Sequence, residues 1–302
     1  MSVAFFPYQH PRKHFCNLGQ VSFDDVEWPL NDRPDGQRLS DLGPRDHVLM
    51  IASSRMLTIR TGELPARVSI LLMEPPAIQR RLYIALRLIA PRYHRVLTHS
   101  TDLLRRLPNA QYVSLGGSML KTPDQPVIEK TRRVSLIASS KRTTVGQKMR
   151  HQIVKWAAKN GSDLDAMGYG HKPLEDKADG HARYQFSVVI ENCREPGFFT
   201  EKLIDSFLCR SLPIYWGAPD IEHFFDPRGM ILCRTADDVR TAIEKATPAD
   251  YARRVEFLEM NRQTSLRYIN CVDTAARCLE ASNHELGADT PSTSEIRQNS
   301  AA

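Results

Sequence analysis

No stretch of this sequence runs through about eighteen apolar residues, so no membrane-spanning helix is expected. No Cys-x-x-Cys occurs, and no cysteine stands near histidine at zinc-finger spacing, which excludes the common structural zinc sites. The six cysteines, Cys16, Cys193, Cys209, Cys233, Cys271 and Cys278, are scattered. They read as small buried thiols of a reducing compartment, with Cys271 and Cys278 on one helical face as core residues. The opening "MSVAFFPYQHPRKHF" lacks the order of a secretory leader, because Pro7 interrupts its apolar patch and the basic residues follow it. A cytoplasmic protein is expected, working from the surface if it meets the inner face of a membrane. Acid is in short supply: 35 Asp and Glu face 41 Lys and Arg, leaving +6. That bias favours anionic partners without choosing among them. The basic residues come as pairs (Arg80-Arg81, Arg105-Arg106, Arg132-Arg133, Lys141-Arg142) and read as solvated faces. No nucleic-acid-binding signature is present. A polyanion-binding protein without catalysis is a distant alternative resting on charge alone, and would show steeply salt-dependent binding.

What the chain does have is length and rhythm. Its 302 residues suit two domains. The first ~45 residues are rich in Pro, Asp and Gly and read as irregular. Short apolar runs follow ("HVLMIAS", "RVSILLME", "RVLTHS", "AQYVSLGG"), separated by the helical patterns "PPAIQRRLYIALRLIA" and "TDLLRRL". Alternation of buried strand and helix implies an α/β unit with a parallel sheet. No G-x-G-x-x-G is present, and Gly116-Gly117 at a strand end is weak evidence by itself. The polar stretch 121–131 reads as a linker closing an N-terminal domain of residues 1–120. The rhythm restarts over 132–281. "RRVSLIAS", "DLDAMGYG", "YQFSVVIE", "LPIYWG" and "GMILCR" are strands. Helices lie between and after them, one capped by Thr144 and stopped at Gly161, another capped by Thr200. The last helical pattern, from Pro248, is expected to continue towards Glu280. Residues 282–302 are expected to be disordered. Two doubly wound domains result, with ligands expected at strand carboxyl ends and in a cleft between the domains.

One stretch joins two buried strands with chemistry. In "ENCREPGFFTEKLIDSF", Glu191 and Asn192 end a strand, and Thr200, Glu201 and Lys202 open a helix. A helix amino end has unpaired N–H groups and positive dipole character, which suit a phosphate. Lys202 adds a full charge, and a charge-assisted hydrogen bond contributes ~1.5–3 kcal/mol. Glu201 repels phosphate but accepts two vicinal hydroxyl hydrogens well, as on a ribose. Phosphate beside ribose means a nucleotide. The bland alternative is that Glu201 caps the helix and Lys202 is solvated.

The residues Tyr184, Phe186, Glu191, Asn192, Thr200, Glu201, Lys202, Pro213, Tyr215, Gly217 and Pro219 resemble the signature of the family 10 glycosyltransferases, the α1,3/α1,4-fucosyltransferases, in a bacterial-type form. The resemblance is dense over about fifty residues, weaker upstream, and does not reach the first ~45 residues or the tail. It implies the GT-B fold, two Rossmann-like domains facing a cleft. It implies inverting transfer of L-fucose from GDP-L-fucose to a glycan hydroxyl, on lipopolysaccharide or another surface polysaccharide. Arg150 and Lys202 would hold the diphosphate, Glu201 the ribose, and Glu191 and Asn192 would shape the pocket. Phe198 stands where close bacterial members often carry tyrosine, so a hydroxyl to the donor is missing. That leaves a different nucleotide sugar as the alternative.

Inverting transfer needs cations for the leaving diphosphate and a base for the acceptor hydroxyl. Arg150 offers a planar fork and Lys202 a point charge. With both present, no divalent metal or other cofactor is required. The one Asp-x-Asp, Asp163–Asp165, opens a strand instead of closing it. Glu74, after "RVSILLM" and before Pro75-Pro76, is the candidate base; its bland alternative is a carboxylate favoured by a helix amino end. His99 is the other candidate base. Trp216 reads as core, with ligand stacking as its alternative.

Overall fold

Strands buried on both faces need near-continuous apolar sequence, and the short apolar runs supply it. The computed structural model describes residues 1–7, 17–54, 64–123 and 126–284. Cys16, part of the 121–131 segment and most of the 282–302 tail therefore lie outside the described residues. The first sheet holds β1 (Val3–Phe6), β2 (His47–Ile51), β3 (Arg67–Leu71), β4 (Val96–Thr98) and β5 (Ala110–Tyr112) in chain order. Every pairing is parallel. Helices α1 (Pro76–Ile89) and α2 (Thr101–Arg106) make the β3–β4 and β4–β5 crossovers.

The second sheet holds β6 (Arg132–Ile137), β7 (Leu164–Met167), β8 (Tyr184–Ile190), β9 (Leu212–Trp216) and β10 (Ile231–Leu232). Its spatial order is β10-β9-β8-β6-β7, again all parallel. The chain leaves β6 to one side for β7 and returns on the other side as β8. That reversal is the topological switch point, where ligands of doubly wound sheets bind. Helix α3 (Val145–Lys159) follows β6, and α4 (Glu201–Leu208) follows β8. Helices α5 (Ala236–Lys245) and α6 (Pro248–Ser265) complete this half. Thr144 caps α3 through a reciprocal pair with Gln147, as the sequence leads one to expect. Gly161, at φ +61°, stops it.

Each half has its own apolar core. Val48, Met50, Ile70, Leu72 and Leu86 centre the first. Leu136, Val188, Leu203, Phe207 and Ile214 centre the second.

Three expectations need correction. The first ~45 residues are not wholly irregular, because Val3–Phe6 is an edge strand paired with β2. Four residues ending at Pro7 carry too little pattern to reveal a strand. The last helical pattern is also not one helix. It breaks at a 3-10 turn, Leu266–Tyr268, and restarts as α7 (Cys271–His284). The Tyr268 ring packs edge-on against Phe199, and its carbonyl accepts the Gly117 N–H at 2.6 Å, which pins the turn. Finally, the two compact units divide the chain differently from residues 1–120 and 132–281. One unit is Ser114–Cys271; the other takes Met1–Val113 and the chain from Val272. Residues 114–120 belong with the second unit because Gly117, Ser118 and Met119 hydrogen-bond to Tyr268 and Asp205. Helix α7 belongs with the first because Ser282 donates to Gln111 in β5. Cys271 and Cys278 sit on it half-buried, while Cys193, Cys209 and Cys233 are buried.

Candidate functional site

The turn between β8 and α4 is built by Glu191. It is wholly buried at the end of β8 and accepts two hydrogen bonds from Thr200, one from N–H and one from Oγ1–H, each 2.8 Å. Thr200 then caps α4 and presents Glu201 and Lys202 in the first turn. Lys202 Nζ lies 2.8 Å from Glu201 Oε1, 3.0 Å from Thr200 Oγ1 and 3.7 Å from Glu191 Oε2. Burial works against the Lys202 charge, but the two carboxylates outweigh it and hold its pKa above the ordinary value. Burial likewise opposes ionisation of Glu201, and Lys202 overrides it, so that carboxyl stays below its usual range. Glu191 is the opposite case: its burial dominates over Lys202 and raises its pKa.

On the other side of the switch point, α3 starts hard against the same strand end. A Cβ on Gly146 would overlap the Glu191 carbonyl oxygen, so only glycine lets the helix approach this closely. Gly146 N–H donates to the Asn192 carbonyl at 3.2 Å. Gly146→Ala is therefore expected to lower stability by about 2–3 kcal/mol, read as an earlier thermal midpoint, because a backbone atom and not a flexible side chain must move. The approach sets Arg150, 5% exposed, beside Asn192, whose Oδ1 accepts from Nη2 at 2.7 Å. Burial lowers the Arg150 pKa, while Glu191 and Glu201 pull it back up. Its Nε–H is buried without a partner among the described residues.

These groups surround a cavity of about 330 Å³ at the carboxyl ends of β6 and β8, walled by Ile137 and Val188–Ile190. Arg150, Asn192, Glu201 and Lys202 all line it. So do Lys141, Lys177, His181 and Asp205, which the sequence reading did not select. All of these residues belong to the second unit. Four cations against two carboxylates, around a concave space at two helix amino ends, make a site for an anion such as a diphosphate. His181 adds no charge: burial pushes its pKa down to about 3, and Nδ1 lies 2.8 Å from Ser187 Oγ in a buried seam with Ser135 and Ser211. Asp205, one turn beyond Glu201, accepts from Ser118 Oγ at 2.7 Å and Met119 N–H at 3.2 Å. Its burial pushes the pKa up to about 7.

The remaining expected residues fall elsewhere. Glu191 and Thr200 stand behind the cavity and shape it. Phe198 is buried in the core, because the turn at Gly197 (φ +65°) sends it inward. Gly217 does not line this cavity; a Cβ there would strike the Tyr215 hydroxyl and Glu191. Trp216 is buried and donates Nε1–H to the Arg234 carbonyl at 3.0 Å, the core reading. Asp163 and Asp165 bind Arg133 and Arg132, and Asp165 also accepts from Tyr184, at the amino end of β7 and so opposite the cavity. In the first unit, Glu74 is half-buried past the end of β3, with its carbonyl accepting from Tyr83 Oη at 3.0 Å. Pro75 follows it as the N-cap and Pro76 opens α1, so the helix-start reading of Glu74 also fits. His99 is wholly buried.

Two missed residues had a signal. Lys141 follows the end of β6 and precedes the α3 cap, the position that faces a switch-point ligand. Asp205 lies four residues after Glu201, on the same helical face. Lys177 had no signal, since a 3-10 turn between β7 and β8 brings it in.

No family model matches the chain. It is 34% identical over 71 residues to alpha-(1,3)-fucosyltransferase FucT of Helicobacter pylori, covering 24% of this chain and 14% of that protein. It is 26% identical over 174 residues to a fucosyltransferase-like protein of Arabidopsis thaliana, covering 55% of this chain and 33% of that one. The chain thus spans a third or less of the length of these two relatives. Among solved structures, TarM of S. aureus in a complex containing UDP superposes with a TM-score of 0.52 at 12% identity, over 77% of this chain and 55% of that one. The fold is that of the GT-B glycosyltransferases, and the sequence is homologous to fucosyltransferases.

Proposed function

We propose that the protein is a glycosyltransferase whose donor diphosphate sits in the switch-point cavity, with GDP-L-fucose as donor and a glycan hydroxyl as acceptor. The observation that carries this reading is the buried Arg150, tied by Asn192 and with its Nε–H unspent, beside Lys202 at the mouth of α4. A buried guanidinium with an open donor is costly unless an anion completes it. Homology to fucosyltransferases supports the sugar. Lys202 and Arg150 neutralise charge as the nucleotide leaves, and Glu201 takes the ribose hydroxyls. Transfer inverts the anomeric centre in one displacement, with Glu74 removing the acceptor proton. The two cations take the part a divalent metal plays elsewhere, so none is required. The acceptor is a lipopolysaccharide or surface polysaccharide, glycosylated at the cytoplasmic face of the membrane. The reason for considering another donor sugar was the absent hydroxyl at Phe198. That ring is buried away from the cavity, so the absence gives no ground for a change of donor.

A thermal-shift titration with GDP, UDP and CMP tests the donor. A ligand at a hundred times its Kd adds about 2.7 kcal/mol of stability. GDP is expected to raise the melting temperature and the other two to leave it unchanged. A shift with UDP or CMP alone would overturn the fucosyl assignment, and a flat response to all three would overturn nucleotide binding.

A further inference from the structure

Helix α1 hides one face and presents the other in an unusual composition. Leu82, Tyr83 and Leu86 enter the core of the first unit. The backbone at Gln79 is non-helical (φ −114°, ψ 38°), so the regular turns run from Arg80 to Ile89. On the outer side Ile84 is 54% exposed and Leu88 84%, the latter more than any other large apolar side chain among the described residues. Arg80, Ile84 and Leu88 follow the i, i+4 line, and Arg81 and Arg87 flank it on either side. All three arginines are exposed. From Pro75 to Thr101 the sequence holds five arginines and not one carboxylate. Among the described residues, the ion pairs at this face involve Asp102, 3.2 Å from Arg87 and shared with Arg106. Arg80 and Arg81 have no such neutraliser on their own helix.

An exposed helix face in water ordinarily mixes acids with bases and keeps leucine inward. This one centres an apolar pair within cationic heads on long apolar stems. That is the composition of a helix lying in a lipid interface, where leucine and isoleucine enter the acyl boundary and arginine reaches phosphate headgroups. Charge complementarity selects the surface: an anionic bilayer attracts each arginine, and a zwitterionic one does not. A nucleic acid would answer the arginines but gain nothing from Ile84 and Leu88. No helix among the described residues is long and apolar enough to cross a membrane, so α1 is a peripheral contact.

We propose that the outer face of α1, with Ile84 and Leu88 framed by Arg80, Arg81 and Arg87, docks the protein on an anionic phospholipid surface. The donor cavity is lined entirely by the other unit, so this face stands or falls independently of the nucleotide reading.

Vesicle flotation of the full chain tests it, with phosphatidylcholine alone and with roughly one-third phosphatidylglycerol added. The wild type is expected to float with anionic vesicles only and to be released by high salt. Ile84→Ser with Leu88→Ser, and separately Arg80→Gln with Arg81→Gln, are each expected to weaken partitioning about tenfold or more. All four sites are exposed, so melting temperatures should match the wild type. Equal flotation on both vesicle types, or none on either, would overturn the proposal. So would an apolar double variant that floats like wild type while the arginine variant loses affinity for a homopolymer RNA. A gel-filtration shift from dimer to monomer in the apolar variant would assign the face to a second copy of the chain and equally end it.

Discussion

Arg150→Lys is expected to lower kcat for glycosyl transfer by about a hundredfold, and Arg150→Ala by about a thousandfold, the range for losing one preorganised charge donor. The reason lies in what the guanidinium already does without ligand. Nη2 is fixed on Asn192 Oδ1, so the plane of the fork is set before a diphosphate arrives. Nε remains open in a buried position. Lysine restores the charge but neither the plane nor the second donor. The charge it meets grows as the nucleotide leaves, so the loss should fall on kcat more than on KM. GDP affinity should fall as well, because the product carries that charge in full. The check is steady-state kinetics with a GDP-release assay, beside melting curves of both variants. If Arg150 were merely structural, the Lys variant would lose melting temperature and keep kcat. If it holds the diphosphate, kcat falls with the fold intact. Lys202→Ala is a poorer probe, because it also leaves the buried Glu191 without its cation, and an uncompensated buried charge is destabilising by itself.

Much of this site was visible as sequence, for a definite reason. A parallel strand buried on both faces is an apolar run, and a helix opening on Thr carries its own cap. "YQFSVVI" and "TEKLIDSF" therefore fixed where Asn192, Glu201 and Lys202 would stand. Arg150 came from the family resemblance, and the helix that carries it was legible because its Thr144–Gln147 cap is equally local. What stayed hidden was whatever depends on contacts far apart in sequence. Nothing in "VAFF" indicates that it pairs with residues forty positions later. Nothing in "TSLRYIN" shows that Tyr268 will be held by Gly117 and Phe199, ending one helix and sending the next to the other unit. Phe198 is a related case. Its place in a motif says nothing of the turn at Gly197 that points it inward. Lys141 read as half of a solvated basic pair and Lys177 drew no reading; the cavity brings the two together.

Asp205→Asn is expected to stabilise the protein above neutral pH by about 3–4 kcal/mol, with the gain vanishing in acid. The carboxyl is 2% exposed and lies in the wall of the cavity, and burial raises its pKa from 3.8 to about 7. The hydrogen bonds from Ser118 and Met119 pull the other way but do not cancel that cost, and Glu201 adds like-charge repulsion. A carboxyl whose pKa is raised on folding binds its proton more tightly in the native state. The penalty is therefore absent below about pH 4, where both states are protonated, grows as the pH rises, and is complete above about pH 7. Asparagine keeps an oxygen to accept from Ser118 and Met119 and cannot ionise. For a unit of this size the gain corresponds to a melting temperature roughly 6–16 °C higher at pH 8. Melting curves of wild type and variant at pH 4 and pH 8 decide it: the two should coincide in acid and diverge in base, and parallel curves would mean that Asp205 is ionised at no cost. Asp205 holds Ser118 and Met119 and also lines the cavity, one turn beyond Glu201 and Lys202, so the pH at which its penalty sets in should shift when GDP raises the melting temperature only if the carboxyl meets the ligand as well as the fold.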